Sequence, residues 1–373
     1  MRIPFNRPYL AGRELEYLAE AASSGLTSGD GPFTRRATAL VGRLAGSSAL
    51  LTTSCTHALE ITALLLELRP GDEVIMPSFT FVSTANAYVL RGAVPVFVDI
   101  RPDTLNIDER AVEAAVTPRT KAIVVVHYGG VACEMDAIMK VARHHRIPVI
   151  EDNAHGLGAT YQDRPLGSFG ALATQSFHAT KNVSCGEGGA LLINDERFRE
   201  RAEILREKGT DRSRFFRGQV DKYRWMDLGS SYLLSDLLAA ALTAQLEEFE
   251  IIQQRRYEVW QTYHAALAGL DVVRPSVPAG SDHPAHLYYL LLPDLQRREA
   301  LLRHFAERDV QATFHYQPLH SAPAGRRYGR TGLGGCPVTE DVADRLVRLP
   351  LYPALSDAEV DAVVDAVRTF PGI

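Results

Sequence analysis

The chain is expected to be an α/β protein, with a mostly parallel sheet of about seven strands followed by a smaller α+β domain. Three observations predict this. Short β-rich segments, several of them nearly continuous apolar runs, recur through the first two-thirds, as strands buried on both faces of a parallel sheet require. Helical patterns that end in Gly or Pro breakers lie between them. The length, 373 residues, allows two domains or one large domain with an appendage at roughly 150 residues per domain.

In chain order, strands are expected at Ala49–Thr52, Glu73–Met76, Val94–Val98, Ala122–Val126, Pro148–Glu151, Thr174–Phe177 and Ala190–Ile193. Helical patterns such as Thr56–Leu68 and Met135–His144 alternate with them, which is an α/β layer architecture. A helical stretch at roughly Leu233–Leu267, dense in Ala, Leu, Gln and Glu, is long enough to bridge two domains. Asp271–Ser281, with two prolines and a glycine, is the expected hinge. Beyond it, strand signals at Leu287–Leu292 and Ala312–Tyr316 combine with helices at Arg297–Glu307 and Asp357–Thr369. The expected division is a large domain over residues 1–250 and a small one over 251–373. There is no internal repeat and no low-complexity tract.

Composition excludes several classes of function. Hydrophobic residues make up 46% and charged residues 23%, an ordinary globular mix. A net charge of −5 argues against a basic nucleic-acid-binding surface. No apolar run approaches the roughly 20 residues of a membrane span. The opening Met1-Arg-Ile-Pro-Phe-Asn6 leads straight into polar Gly12-Arg-Glu-Leu-Glu16, without the apolar core of a signal peptide. Cys55, Cys133, Cys185 and Cys336 show no metal-ligand spacing and no disulfide framework. A cytoplasmic enzyme without a metal is the expectation.

Only five of the 40 basic residues are lysines: Lys121, Lys140, Lys181, Lys208 and Lys222. Any chemistry that needs a lysine amine can therefore be tested residue by residue. Lys121 follows Thr117-Pro-Arg-Thr120 at a strand entrance, Lys140 belongs to an amphipathic helix, and Lys208 sits in a helix's last turn, where a cation suits the dipole. Lys222 lies in the polar stretch Gln219–Arg224, a candidate binding loop. Lys181 alone follows an apolar strand and precedes the Gly-rich turn Gly186-Glu-Gly-Gly189. Partial desolvation at a strand end lowers an amine's pKa and makes it a nucleophile toward carbonyls; the bland alternative is an exposed loop lysine.

Two further pieces precede it. Val149-Ile-Glu-Asp152 ends a buried strand in a carboxylate that could pair with a cationic ring nitrogen, or simply cap the next turn. His155 follows, as a ring contact or a structural histidine. Thr52-Thr-Ser-Cys-Thr56-His57 joins a strand to a helix, where hydroxyls and free amides make a phosphate site or an ordinary N-cap. In that order, an anion cradle, a strand-end acid and an amine about 30 residues later are what pyridoxal 5'-phosphate requires. No GxGxxG follows the first strand, and GxxxxGK[ST] and HExxH are absent.

At this point the sequence resembles the DegT/DnrJ/EryC1/StrS sugar aminotransferases, of the fold-type I pyridoxal-phosphate class, over essentially its whole length. The carriers are Gly71-Asp-Glu-Val-Ile-Met-Pro-Ser-Phe-Thr-Phe81, Phe97-Val-Asp99, Glu151-Asp152, Ser176-Phe-His-Ala-Thr-Lys181 and Gly186–Gly189. Ser28–Arg36, Val126–Asp136 and Phe216–Tyr223 look like the subgroup of C4 aminotransferases acting on dTDP-4-keto-6-deoxyglucose. The resemblance implies that Lys181 binds the cofactor aldehyde covalently and later shuttles the proton. It implies that Asp152 keeps the pyridine nitrogen protonated, that His155, in a position that is Gln in many relatives, contacts the ring hydroxyl, and that Phe81 stacks on the ring. Thr56, the His57 amide and Ser176 would hold the phosphate, and Lys222 and His320 would contact substrate. Many relatives carry Gly-Tyr-Asn-Tyr-Arg, whose Asn reaches the partner subunit's phosphate; here Gly229-Ser-Ser-Tyr-Leu233 leaves Ser231 in that place.

The implied reaction alternates the cofactor between its pyridoxal and pyridoxamine phosphate forms (PLP and PMP), takes the amine from L-glutamate and delivers it to C4 of the dTDP-keto sugar. A homodimer with shared active sites is implied as well. The rivals are a C3 or UDP-sugar aminotransferase of the same family and a sugar-nucleotide-binding protein with a dead site. Lys181 argues against the related 3-dehydratases, which carry His in its place.

Overall fold

The computed structural model describes residues 2–371 and 373. Eight strands form the main sheet, in the order Ser48–Thr52, Gly189–Ile193, Leu172–Ser176, Val149–Asp152, Thr120–Val126, Glu73–Pro77, Val94–Val98 and Arg330–Thr331. The last six run parallel, while Gly189–Ile193 is antiparallel to both of its neighbours. All seven strands expected from apolar runs are in this sheet. The eighth is a two-residue strand from the last third of the chain, too short to leave a periodic signal.

Period-two alternation decides which helices cover which face. Val74, Met76, Ala122, Val124 and Ile150 pack under the helices Cys55–Leu65, Val82–Val89 and Arg199–Arg206. Ile75, Ile123, Val125 and Val149 point the other way, to Glu109–Ala115 and Met135–His145. At the antiparallel end that second face, through Leu51, Ala173, Ala190 and Leu192, is closed by Glu14–Ser23, Pro32–Ala45 and Asp236–Glu247. The Ser28–Arg36 motif has a packing reason here. Gly31, the residue before helix Pro32–Ala45, has no side chain to cap it, and a Cβ there would collide with Asp236. Asp236 instead accepts the amides of Phe33 (3.2 Å) and Thr34 (2.7 Å), which satisfies the helix's orphan donors from 200 residues away.

The C-terminal third builds a second core. Tyr288–Leu291 pairs antiparallel with Leu346–Leu349, and helices Phe249–Ala266, Leu295–Ala306 and Asp357–Arg368 pack around them. Ile3 joins the same core through a bridge to Val310. Two sequence expectations need correction. The stretch Leu233–Leu267 contains two helices, Asp236–Glu247 and Phe249–Ala266, broken at Glu248 (φ −98°, ψ 18°). Ala312–Tyr316 is not a strand: Thr313 alone bridges to Arg348, after which His315 and Tyr316 turn into a cavity at the strand ends.

Candidate active site

That cavity, of about 650 Å³, opens where the parallel strands end, bringing Val126, Asp152 and Ser176 to its floor. Ligand sites in α/β sheets form at the carboxyl ends of strands because loops there converge without blocking the backbone. Thr56, Phe81, His155 and Lys181 line the same cavity. Six of the sequence-predicted residues thus come together.

Asp152 is buried and held on both oxygens. Thr84 Oγ1 donates to Oδ2 at 2.8 Å and the Ala154 amide to Oδ1 at 3.2 Å. Burial pushes its pKa up, against the pull of those hydrogen bonds and of Lys181. A carboxyl placed this way is best kept ionised by a cationic partner in the cavity.

Lys181 sits in the loop between Leu172–Ser176 and Gly189–Ile193, its backbone amide bonded to His178 O at 2.9 Å. Its amine takes no hydrogen bond or ion pair among the described residues. Burial brings the pKa down to about 8, helped by Arg348 and opposed by Cys55 and Asp152. The Cys55 thiol is itself pushed up to about 12 by burial, so at neutral pH it is uncharged and Asp152 supplies the opposing charge.

The phosphate-type end is helix Cys55–Leu65. Ser54 caps it by accepting the His57 amide at 3.1 Å, so the amide expected to hold a phosphate is already used. The Cys55 and Thr56 amides have no partner among the described residues, and Thr56 Oγ1 lies 2.8 Å from Ser83 Oγ. The His57 ring turns away to Thr53 Oγ1 and to the Tyr232 ring, 5.1 Å off. Gly189 explains the glycine turn: a Cβ there would meet Cys55 N and Ser54 C at 2.3 Å. Its bare backbone is what lets the helix start seat against the strand beside Lys181.

These groups fit pyridoxal phosphate. An amine without a partner, an acid fixed at the strand end and two free amides beside a threonine answer its aldehyde, pyridine nitrogen and phosphate. Phe81, an apolar ring left 57% exposed at the cavity, offers a face for its ring.

His155 is held neutral, its pKa well below the usual value through burial and the nearby charges of Lys181 and Arg348. The Gly129 amide donates to Nδ1 at 3.3 Å, which places the ring proton on Nε2, 3.4 Å from Tyr316 OH. The ring stacks on His286 at 4.2 Å. His286 Nδ1 in turn bonds Asn182 Oδ1 at 2.8 Å, next in sequence to Lys181.

Three predicted residues lie elsewhere. His320 is engaged on both ring nitrogens, with Ser78 Oγ at 2.7 Å and Glu340 at 3.0 Å, and ties a strand end to helix Pro337–Arg345 rather than facing the cavity. Lys222 and Ser231 are exposed on the segment after helix Arg212–Phe216 and do not line the cavity of their own chain. Lys208 stands past the end of helix Arg199–Arg206, with φ +60° and an ion pair to Glu207. Sequence reasoning missed Thr84, His286, His315, Tyr316 and Arg348. The one available signal was Arg348, a charge interrupting the apolar run Leu346-Val-Arg-Leu349.

Comparison with known proteins points to the same cofactor. The chain is 36% identical over 378 aligned residues to the spore coat polysaccharide biosynthesis protein SpsC of Bacillus subtilis (strain 168), covering 98% of this chain and 96% of that protein. It superposes with a TM-score of 0.91 on the aminotransferase TlmJ of Streptoalloteichus hindustanus, at 33% identity over 99% of this chain and 98% of that one. Spr1654 of Streptococcus pneumoniae, at 27% identity and the same coverage, has been solved in PLP and PMP forms, with TM-scores of 0.90 and 0.91. The sequence pattern of the DegT/DnrJ/EryC1/StrS aminotransferase family matches residues 8–368, and the chain belongs to that family as a PLP-dependent sugar aminotransferase.

Proposed function

We propose that the protein transfers the amino group of L-glutamate to C4 of dTDP-4-dehydro-6-deoxy-D-glucose. The product is a dTDP-4-amino-4,6-dideoxyhexose, gluco ahead of galacto, made in the cytoplasm for deoxyaminosugar and antibiotic biosynthesis. The observation that carries the chemistry is the partnerless Lys181 amine in one cavity with the fixed Asp152 carboxylate. The acceptor is argued from the segments Ser28–Arg36, Val126–Asp136 and Phe216–Tyr223, which resemble the C4 subgroup.

When bound, pyridoxal phosphate supplies an aldehyde for the amine and a ring that accepts the electron pair left at the donor's Cα. The chain's residues do the rest. Asp152 would accept a hydrogen bond from the ring nitrogen and hold a proton there. Lys181 Nζ, its pKa brought down to about 8 by burial, would accept a proton from the donor's Cα and hand it on. Phe81 would cover the ring face and keep water off it, and His155 Nε2–H would donate to the ring hydroxyl. The Cys55 and Thr56 amides and the Thr56 and Ser176 hydroxyls would hold its phosphate, the His57 amide being taken by Ser54.

Ser231 and Lys222 belong, on this proposal, to the neighbouring site of a homodimer. That segment and the helix end before it expose Phe216, Tyr223, Trp225 and Met226, with Trp225 82% exposed, and large apolar side chains left in water are what a partner surface would cover. The division into residues 1–250 and 251–373 is part of the same proposal, and it falls just after the helix break at Glu248. The test is NMR of the product from dTDP-4-keto-6-deoxyglucose and glutamate, with light scattering for the dimer. An amine at C3, or turnover confined to a UDP sugar, refutes the substrate assignment, and a monomer refutes the shared site.

A further inference from the structure

Arg348 lines the cavity with Lys181 but comes from the C-terminal core. Its backbone is fixed on both sides, by the ladder to Tyr289 and by bonds to Thr313 O (2.7 Å) and from Thr313 N (3.2 Å). Its guanidinium stacks over Phe5 at 4.7 Å. Nε and Nη2 both donate to the Phe314 carbonyl at 3.3 Å, so one edge of the fork is occupied. The other edge, Nη1 with the second Nη2 hydrogen, has no partner among the described residues.

Neither carboxylate lining the cavity serves it. Asp152 is bonded to Thr84 and Ala154, and Glu187 lies 3.6 Å from His178. The Arg348 charge nevertheless reaches inward, disfavouring protons on Lys181, His155, His286 and His315. A half-buried guanidinium without a counter-charge is costly, and its planar fork matches a carboxylate bidentately. Resting on the aminotransferase reading above, we propose that the free edge of Arg348 binds a carboxylate of the amino-acid donor and so selects the first substrate of the exchange.

The experiment follows the two half-reactions of the cofactor-loaded enzyme separately by the visible absorbance of the cofactor, in wild type, Arg348→Gln and Arg348→Lys. In Arg348→Gln the glutamate concentration for half-maximal rate is expected to rise about 30-fold, since a lost charge-assisted pair costs one to two powers of ten in affinity. The keto-sugar half-reaction, started from the pyridoxamine form, keeps its half-maximal concentration, and Arg348→Lys recovers part of the glutamate affinity. Unchanged glutamate dependence overturns the proposal, as does a shift confined to the sugar nucleotide, which would make Arg348 a phosphate contact.

Calorimetric binding of maleate to the same loaded proteins distinguishes this failure from failure of the aminotransferase reading. Should glutamate not convert the wild-type cofactor, maleate bound by wild type and lost in Arg348→Gln still upholds the carboxylate site. Equal binding in both proteins, or none in wild type, overturns it.

Discussion

Titrating the amine at position 181 in the cofactor-free protein isolates what burial does to it. The ordinary lysine value is 10.5, and in this cavity it falls to about 8. Removal from water lowers it most, Arg348 lowers it further, and Asp152 opposes both. The sign is that of a destabilised cation, so the neutral, nucleophilic form appears as pH rises through about 8 rather than two units or more later. At pH 7.5 about a quarter of the molecules carry a free amine, against about one in a thousand for an unperturbed lysine. Competitive acetylation with trace anhydride, read by mass spectrometry peptide by peptide, measures this directly. Free Nα-acetyl-lysine added to the same reaction serves as the internal standard. The Lys181 peptide is expected to reach half its plateau near pH 8. A midpoint above pH 10 would refute the argument that desolvation activates this amine.

Other perturbations read the remaining parts of the site. Asp152→Asn keeps the shape but not the charge; cofactor binding is expected to persist, with amino transfer reduced on the order of a hundredfold, in the range found when one preorganised electrostatic partner is removed. A rate within threefold of wild type would remove Asp152 from the mechanism. Gly189→Ala puts a methyl group 2.3 Å from Cys55 N, which overpacking arguments put at about 1–3 kcal/mol. Urea unfolding should show that loss, and fluorescence titration should show weaker PLP binding because the helix start has moved. Stability and affinity both at wild-type levels would mean that Gly189 does not set the cradle.

How much of this was legible beforehand follows from what each element is asked to do. The seven long sheet strands are buried on both faces, so their apolar runs could be read directly. Arg330–Thr331 has two residues and no run to read. Ala312–Tyr316 shows the opposite failure. Its aromatic and β-branched residues resemble a strand, but His315 and Tyr316 are spent on the cavity, His315 Nδ1 bonding Tyr128 OH at 2.7 Å. At Glu248 the helical pattern continues on both sides of a break that no Gly or Pro marks.

The site divides by sequence distance in the same way. Lys181, Asp152, Ser176 and Thr56 stand at strand ends and a helix start, where local order exposes a side chain whatever the rest of the chain does. His286 and Arg348 become site residues only when the C-terminal core docks. Asn182 bonds across that docking, Nδ2 donating to Pro284 O at 2.6 Å and Oδ1 lying 2.8 Å from His286 Nδ1, while the buried Arg256 fixes the docked loop within its own core by donating to Ala285 O and His286 O at 3.2 and 2.6 Å. Ala285 between them holds φ +45°, a conformation alanine adopts only when its surroundings impose it. The strain lies on the loop that carries His286 to the ring of His155, and the buried guanidinium of helix Phe249–Ala266 bonds to the backbone of that same loop. The second core is thus joined to the first at the Lys181 loop itself, so a shift of the C-terminal body moves the groups around the amine.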